Sequence, residues 1–542
     1  MVAVNAAPKR RPVASTKGRI VFTQRFPQPD LTPEPQPGLR GIALIASAIL
    51  AILVDGSSTA IINTGLPYLQ GITASSPDEG SWILTTFNAA YYSFIMLSPW
   101  LVARFGRRNL ILAALLGFSA LSLLLTVTTD FRIFLVLRFL QGACLGCVFV
   151  PAVMLFFTSL SASALRYGAP AFVLAAISGS TLGTLIGGFV ADEYGGNLVF
   201  VPAAIATAIT AALIFGAVSK KDIVETGLCF DGVGVGLSII MFGAMQYLSN
   251  EGERRNWFDD STIALASAVL ALALGAFVYW QLYGTRNPHV HLRMFVNYRN
   301  LAVGSAINIV IGATGYSVTT FVGYLAVALA ATPTVAGELI PVRLLTYVIG
   351  VPAAFLLSVT RTLSVRGVVI VGVIGSSAAF LWFSQLMTTT AEMTSFVGVS
   401  LVFGLFFAML SQPIGTLVVG SIPLPLLASG ISIYKLSSPV GTMIATGFMQ
   451  YVLDHHAAAA GSIIAGNVTL GNPAVAQYVY QHHGNAAGIA GVAAVQSQTL
   501  AYSFCMQVYA VMLLAVIPAI FFAKLGPPPA AAPAAKANGS DV

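Results

Sequence analysis

The stretch Ile52–Pro67, ILVDGSSTAIINTGLP, continues an apolar run, GIALIASAILAILV, that opens at Gly41 and holds no charge before Asp55. At 1.5 Å per helical residue, Asp55 lies about 21 Å from Gly41, past the middle of a hydrocarbon core about 30 Å thick. A carboxylate at that depth is costly, and such groups face a bundle interior or a water-filled cavity. The rest of the chain has the same character. Of its 542 residues, 57% are hydrophobic and only 8% charged, with a mean hydropathy of +0.84. A soluble domain carries roughly a quarter of its residues as charges. The chain therefore reads as an all-α polytopic membrane protein. Its apolar runs are continuous rather than alternating with period two, which excludes a transmembrane β-barrel.

Between a basic, proline-rich tail (1–40) and a low-complexity C-terminus (524–542), fourteen spans are expected. They cover 41–63, 80–103, 109–128, 132–157, 167–191, 197–218, 231–249, 261–283, 300–329, 336–358, 367–388, 394–419, 428–452 and 501–523. The tail lacks the apolar core of a signal peptide. Residues 453–500, rich in Ala, Gly, Asn and Gln, read as a long polar loop. With the N-terminus inside, twenty of the twenty-six Lys and Arg residues fall on the inner side. Arg132, Arg254 and Arg255 fall outside, and Arg138, Arg343 and Lys435 lie within spans. That bias places both termini in the cytoplasm. It also accounts for the net charge of +7 without nucleic acid, for which no recognition motif is present.

Of the nineteen acidic residues, Asp55 alone is deep within a span. Burial favours a neutral carboxyl and a nearby cation favours the ion, so a carboxylate held between them can take up and release a proton. A static ion pair, with Arg138 as the partner, is the structural alternative. Gln141 follows Arg138 by three residues and shares its helix face. In GSTLGTLIGG, Gly179, Gly183 and Gly187 repeat every four residues, with Gly188 beside them, a spacing that lets helices approach closely. Cys144 and Cys147 sit in an apolar helix as small packing residues, with no disulfide framework implied. All six histidines fall in connecting segments: His289 and His291 inside, then His455, His456, His482 and His483 outside. No metal site, cofactor or catalytic cluster is expected.

Four stretches in this order resemble the major facilitator superfamily. PWLVARFGRRNLIL (Pro99–Leu112) is similar to its loop signature G-x-L-A-D-R-x-G-R-R at Leu101, Arg104, Gly106, Arg107 and Arg108, departing at Pro99 and Ala103. Arg138, Gln141 and Gly142 match R-x-x-Q-G. GSTLGTLIGG resembles the antiporter motif G-x-x-x-G-P-x-x-G-G, with Thr184 replacing proline. The opening stretch resembles the first-helix motif D-x-T-I-V-N-V-A-L-P of the fourteen-helix drug:proton antiporters (EmrB/QacA type). Asn63, Leu66 and Pro67 match, but the motif's Asp falls on Ser58, one turn from Asp55.

The resemblance implies two six-helix bundles, 41–218 and 300–523, joined by an inserted helix pair within 219–299. It implies proton-driven export of amphipathic molecules by alternating access, with substrate bound between the bundles near the midplane. Asp55 and Arg138 are the expected proton-coupling residues. Asn63, Asn88, Tyr91, Tyr92, Gln141, Arg343 and Lys435 are expected to line the cavity. A periplasmic adaptor and an outer-membrane channel would complete the export path. The three buried cations against one anion favour anionic or neutral amphiphiles, so an organic-anion or fatty-acid transporter is the alternative. A membrane-embedded enzyme would need a nucleophile–base or metal cluster at membrane depth.

Overall fold

The computed structural model describes residues 38–161, 164–218, 224, 229–332, 338–423, 426–469, 471–473, 475–477 and 486–524. Most of both tails, Lys220, Lys221, His482, His483 and the side chains of Asn63 and Arg166 lie outside the described residues.

Every described element is helical. In chain order they are α1 (Leu39–Ile72), α2 (Pro77–Phe105), α3 (Arg107–Val127), α4 (Phe131–Ser159), α5 (Leu165–Tyr194), α6 (Gly196–Ala217) and α7 (Gly232–Glu251). There follow α8 (Ser261–Gly284), α9 (Arg299–Ala328), α10 (Arg343–Val359), α11 (Val365–Leu386), α12 (Ser395–Ser421), α13 (Leu427–Asn467) and α14 (Gly488–Phe521). Eleven of these are long and apolar enough to cross a membrane. The other three, α2, α10 and α13, fall where the remaining expected spans lie, so the count of fourteen is compatible with the structure.

Local chemistry sets the helix ends. Ser76 and Glu79 close a reciprocal capping box at the start of α2. Asp130 accepts the Ile133 amide at the start of α4, and Asp260 that of Thr262 at the start of α8. Gly106, at φ +83°, is the single joint between α2 and α3, a left-handed position that glycine adopts at no steric cost. α4 breaks at Cys147–Val148 because Pro151 has no amide to return to the Cys147 carbonyl.

Residues 453–500, expected as a long polar loop, are helical over much of their described length. α13 continues unbroken to Asn467, and the helix that becomes α14 begins at Ala486. The segment looked loop-like because of its Gly, Asn and Gln. Its alanines, the strongest helix formers, decide the outcome, and two helical arms extend from the last two bundle helices.

The packing falls into two halves with the same internal plan. α1 lies on α5 in the first, as α9 lies on α13 in the second. Both pairs meet backbone to backbone. A Cβ on Gly183 would stand 2.4 Å from the Ser57 carbonyl oxygen, and one on Gly441 would stand 1.9 Å from that of Ile309. The halves touch along two seams. In one, α5 meets α10 and α12, with Leu174 and Ile177 packed against Tyr347, Val351 and Phe407. In the other, α13 meets α2 and the second segment of α4. The α7–α8 pair packs outside this second seam, α7 touching both α2 and α13.

Candidate functional site

Asp55 is fully buried, and both of its carboxylate oxygens are engaged. The Tyr91 hydroxyl of α2 donates to Oδ1 at 2.8 Å, and the Lys435 ammonium of α13 donates to Oδ2 at 2.8 Å. One buried carboxylate is thus bonded within its own bundle and across to the other. The Lys435 ammonium also lies 4.3 Å from the Phe149 ring centre, which shares its charge with a π face. Its side chain retains 25% exposure where Asp55 has none, so the cation is the reachable side of the pair.

The surrounding shell fixes these groups. Tyr91 stacks on Phe87 at 5.7 Å. Asn308 of α9 donates to the Tyr434 carbonyl and to the Ser437 hydroxyl, each at 2.9 Å, clamping the turn of α13 that carries Lys435. Thr442 donates to the Gly312 carbonyl at 2.8 Å one turn further on. Asn308, Gly312 and Gly441 carry no family motif. The available signal was an Asn and two Gly residues inside apolar spans. Ser58, where the family motif has Asp, is buried, and its hydroxyl has no partner among the described residues.

Arg138 is not the partner of Asp55. Its guanidinium, fully buried, gives one N–H to the Ile83 carbonyl at 3.3 Å and another to Gln141 Oε1. Gln141 in turn donates to the Ser122 hydroxyl at 2.7 Å. Phe87 covers the guanidinium at 4.1 Å and Phe200 approaches at 5.8 Å. The link to Asp55 runs through the Phe87–Tyr91 stack and involves no ion pair. Carbonyl, amide and π contacts replace part of the guanidinium's lost water, while Nη2 has no hydrogen-bond partner among the described residues.

The other expected cavity residues divide. Asn88 turns away toward the inserted pair, donating to Gln246 of α7 at 3.3 Å. Tyr92 likewise packs on Phe242 of α7 at 5.5 Å. Arg343 opens α10 on the first seam, 5.4 Å from the Phe403 ring and within reach of Tyr347. Arg107 donates to Thr158 at 2.8 Å and Arg108 to the Phe215 carbonyl at 3.1 Å, so the loop signature ties α3 to α4 and α6, while Arg104 is exposed. Gly179 and Gly183 are the α1–α5 contact, and Gly187 and Gly188 are buried on the same helix.

His289 and His291, in the connection that follows α8, are both buried. His289 Nδ1 meets Asp231 Oδ2 at 2.9 Å, and Trp280 and Gln281 donate to the same carboxylate at 2.8 Å each. This clasp joins the two ends of the inserted pair. Burial pushes the His291 ring down to about 4, so it stays neutral at pH 7.

A buried carboxylate–ammonium bridge between two helical bundles of like plan fits a polytopic membrane transporter. The sequence profile of the Major Facilitator Superfamily matches residues 48–285. The chain is 27% identical to the multidrug export protein EmrB of Haemophilus influenzae over 77% of this chain and 82% of that protein. It is 26% identical to the fatty acid resistance protein FarB of Neisseria gonorrhoeae, and 24% to EmrB of Escherichia coli K12, over half of this chain in each case. Those two alignments span only about half of each relative, 53% and 52%. The fold resembles the proton:xylose symporter XylE, with a TM-score of 0.56 at 14% identity over 89% of this chain and 95% of that one. It also resembles the human organic anion transporter MFSD10, at 0.53 and 13% over 90% of this chain and all of that one. The chain thus resembles the major facilitator superfamily over residues 48–285, and the relatives and solved structures it is similar to include multidrug export proteins and membrane transporters.

Proposed function

We propose that this protein exports amphipathic small molecules across the cytoplasmic membrane in exchange for protons, with Asp55 as the exchanging group. The observation that carries this reading is the buried Asp55–Lys435 bridge between bundles. Breaking a buried ion pair by neutralising one partner costs about 3–5 kcal/mol. Moving a two-state equilibrium from 1:99 to 99:1 takes about 5.5 kcal/mol. Protonating Asp55 is therefore an event of the right size to release one bundle from the other. The empty, ionised carrier is held by the bridge. Either a proton or a substrate's cationic or hydrogen-bonding group can satisfy the carboxylate and free Lys435. The two compete for one group, and competition for one site is what makes exchange obligatory.

A second reading is favoured by Arg138, a fully buried cation held by a carbonyl and a side-chain amide, and by the likeness to a fatty acid resistance protein. An anionic amphiphile would take Lys435, the exposed half of the pair, and leave Asp55 to be protonated. Proton and anion would then bind together and move in the same direction. Reconstituted vesicles under an imposed pH gradient separate the readings by the sign of the proton flux. Against a panel of cationic, neutral and anionic amphiphiles, exchange predicts protons moving opposite to substrate. Protons moving with an anion would overturn exchange, and no coupled flux with any of the panel would overturn both.

By the basic-residue bias, both termini lie in the cytoplasm and the helical arms of α13 and α14 outside. No Lys, Arg, Asp or Glu occurs between His455 and Leu500. The arms carry exposed apolar residues such as Ile463 and Val492, suited to packing against helices of a periplasmic adaptor that continues the path to an outer-membrane channel. Deleting 460–490 should leave export from vesicles intact and abolish co-purification of the adaptor and resistance in cells. Retained co-purification would remove the arms from that role.

A further inference from the structure

The inserted pair meets the two bundles through two surfaces of opposite kind. Toward α2 it is keyed at every level. Near one end Trp82 packs on Tyr247 at 5.2 Å. Below it Asn250 donates to Thr85 at 3.4 Å, Gln246 to Asn250 at 3.2 Å and Asn88 to Gln246 at 3.3 Å, forming a ladder of side-chain amides. Tyr92 meets Phe242, and at the other end Trp100 donates to the Cys229 carbonyl at 3.2 Å and packs on Phe230 at 5.3 Å. Polar groups at membrane depth have no water to turn to, so parting them is costly and they hold helices in fixed register.

Toward α13 the surface is smooth. Among the described residues no side-chain hydrogen bond joins α7 to α13. The contact is made by Gly447, where a Cβ would stand 3.1 Å from the Trp257 ring and 3.8 Å from Ser249 Cα. Only beyond the end of α7 do His455 and Glu253 approach, at 3.5 Å, with the imidazole 60% exposed. Apolar contact through a glycine offers no register to defend, and packed helices slide past one another across such surfaces.

We propose that the inserted pair travels with the first bundle as its seventh and eighth helices, and that the α7–α13 face is the sliding seal over the seam beside the Asp55–Lys435 bridge. A gap there during each cycle would admit lipid to a buried ion pair. The pair covers the seam without resisting its motion, because it is keyed to one side and smooth to the other. This inference rests on the bundles rocking, as the proposed function requires.

Paired cysteines joined by a short bis-thiosulfonate linker test it in the full-length reconstituted protein, with single-cysteine proteins as controls. Substrate counterflow without a pH gradient is the readout, since it needs rocking but no proton coupling. Failure of proton exchange therefore shows in gradient-driven flux and leaves this measurement intact. Linking Thr85→Cys to Asn250→Cys, across the keyed face, should change counterflow by less than about twofold. Linking Ser249→Cys to Gly447→Cys, across the smooth face, should reduce it by about tenfold or more and recover on reduction. If the Gly447 variant is inactive before linking, Glu253→Cys with His455→Cys repeats the test outside the membrane. Loss of counterflow on linking α2 to α7, or full counterflow with α7 linked to α13, overturns the proposal.

Discussion

Asp55→Asn should lower gradient-driven export by about a hundredfold or more, which corresponds to about 2.7 kcal/mol, while substrate counterflow without a gradient persists. Asparagine can keep the hydrogen bond from Tyr91 but cannot take or lose the proton, so the carrier still rocks and is no longer driven. The same substitution strands the Lys435 ammonium beside Phe149, at a cost of about 3–5 kcal/mol. That cost should appear as a lower unfolding temperature in detergent. Adding Lys435→Gln should restore most of the stability without restoring coupled export, because the stranded charge is gone and the exchanging group is still missing. Asp55→Asn protein that concentrates substrate against a gradient would remove Asp55 from the coupling step, and Glu338, just ahead of α10, would be examined next.

The second large effect concerns α1 itself. Gly183→Val should disrupt the α1–α5 contact, since its Cβ would meet Ser57 O at 2.4 Å and Ser57 Cα at 2.7 Å. Ser57 is two residues from Asp55, so a displaced α1 carries the carboxylate out of reach of Lys435. Overpacking of this kind typically costs about 1–3 kcal/mol, and backbone atoms, unlike a flexible side chain, cannot swing aside. Export should fall more than about tenfold together with detergent stability. Gly275→Val on α8, where nothing lies within 4 Å, is the control and should be near neutral. Equal stability of the two variants would show that the close contact does not hold the bundle together.

The spans, the glycine contact and the burial of Asp55 were legible because each is local. Hydropathy runs, four-residue spacings and a lone acid in an apolar helix need no knowledge of what lies across the bundle. The partner of Asp55 was not legible, because Lys435 is 380 residues away. Arg138 was nearer and belonged to a motif, but Phe87 covers it and turns its N–H groups to a carbonyl and an amide. Tyr91 and Tyr92 seemed equivalent as neighbours in a sequence. On a helix they point about 100° apart, so one reaches Asp55 and the other reaches α7. The helical arms were not legible as helices because a polar composition and a high alanine content point opposite ways, and here helix propensity decides.

The length of α13 turns the ion pair into something that can be felt at a distance. Lys435, the Gly441 contact with α9 and the outer arm ending at Asn467 are all on one helix of 41 residues. If that helix pivots where Gly441 presses on Ile309, the arm beyond it is a lever about 39 Å long. A tilt of about 10°, modest beside the subunit rotations of known switches, would swing its tip by about 7 Å. The far end would then report, outside the membrane, whether the buried carboxylate is bridged or released. Whatever is seated there would receive the cargo and, with it, a mechanical signal that the cargo is coming.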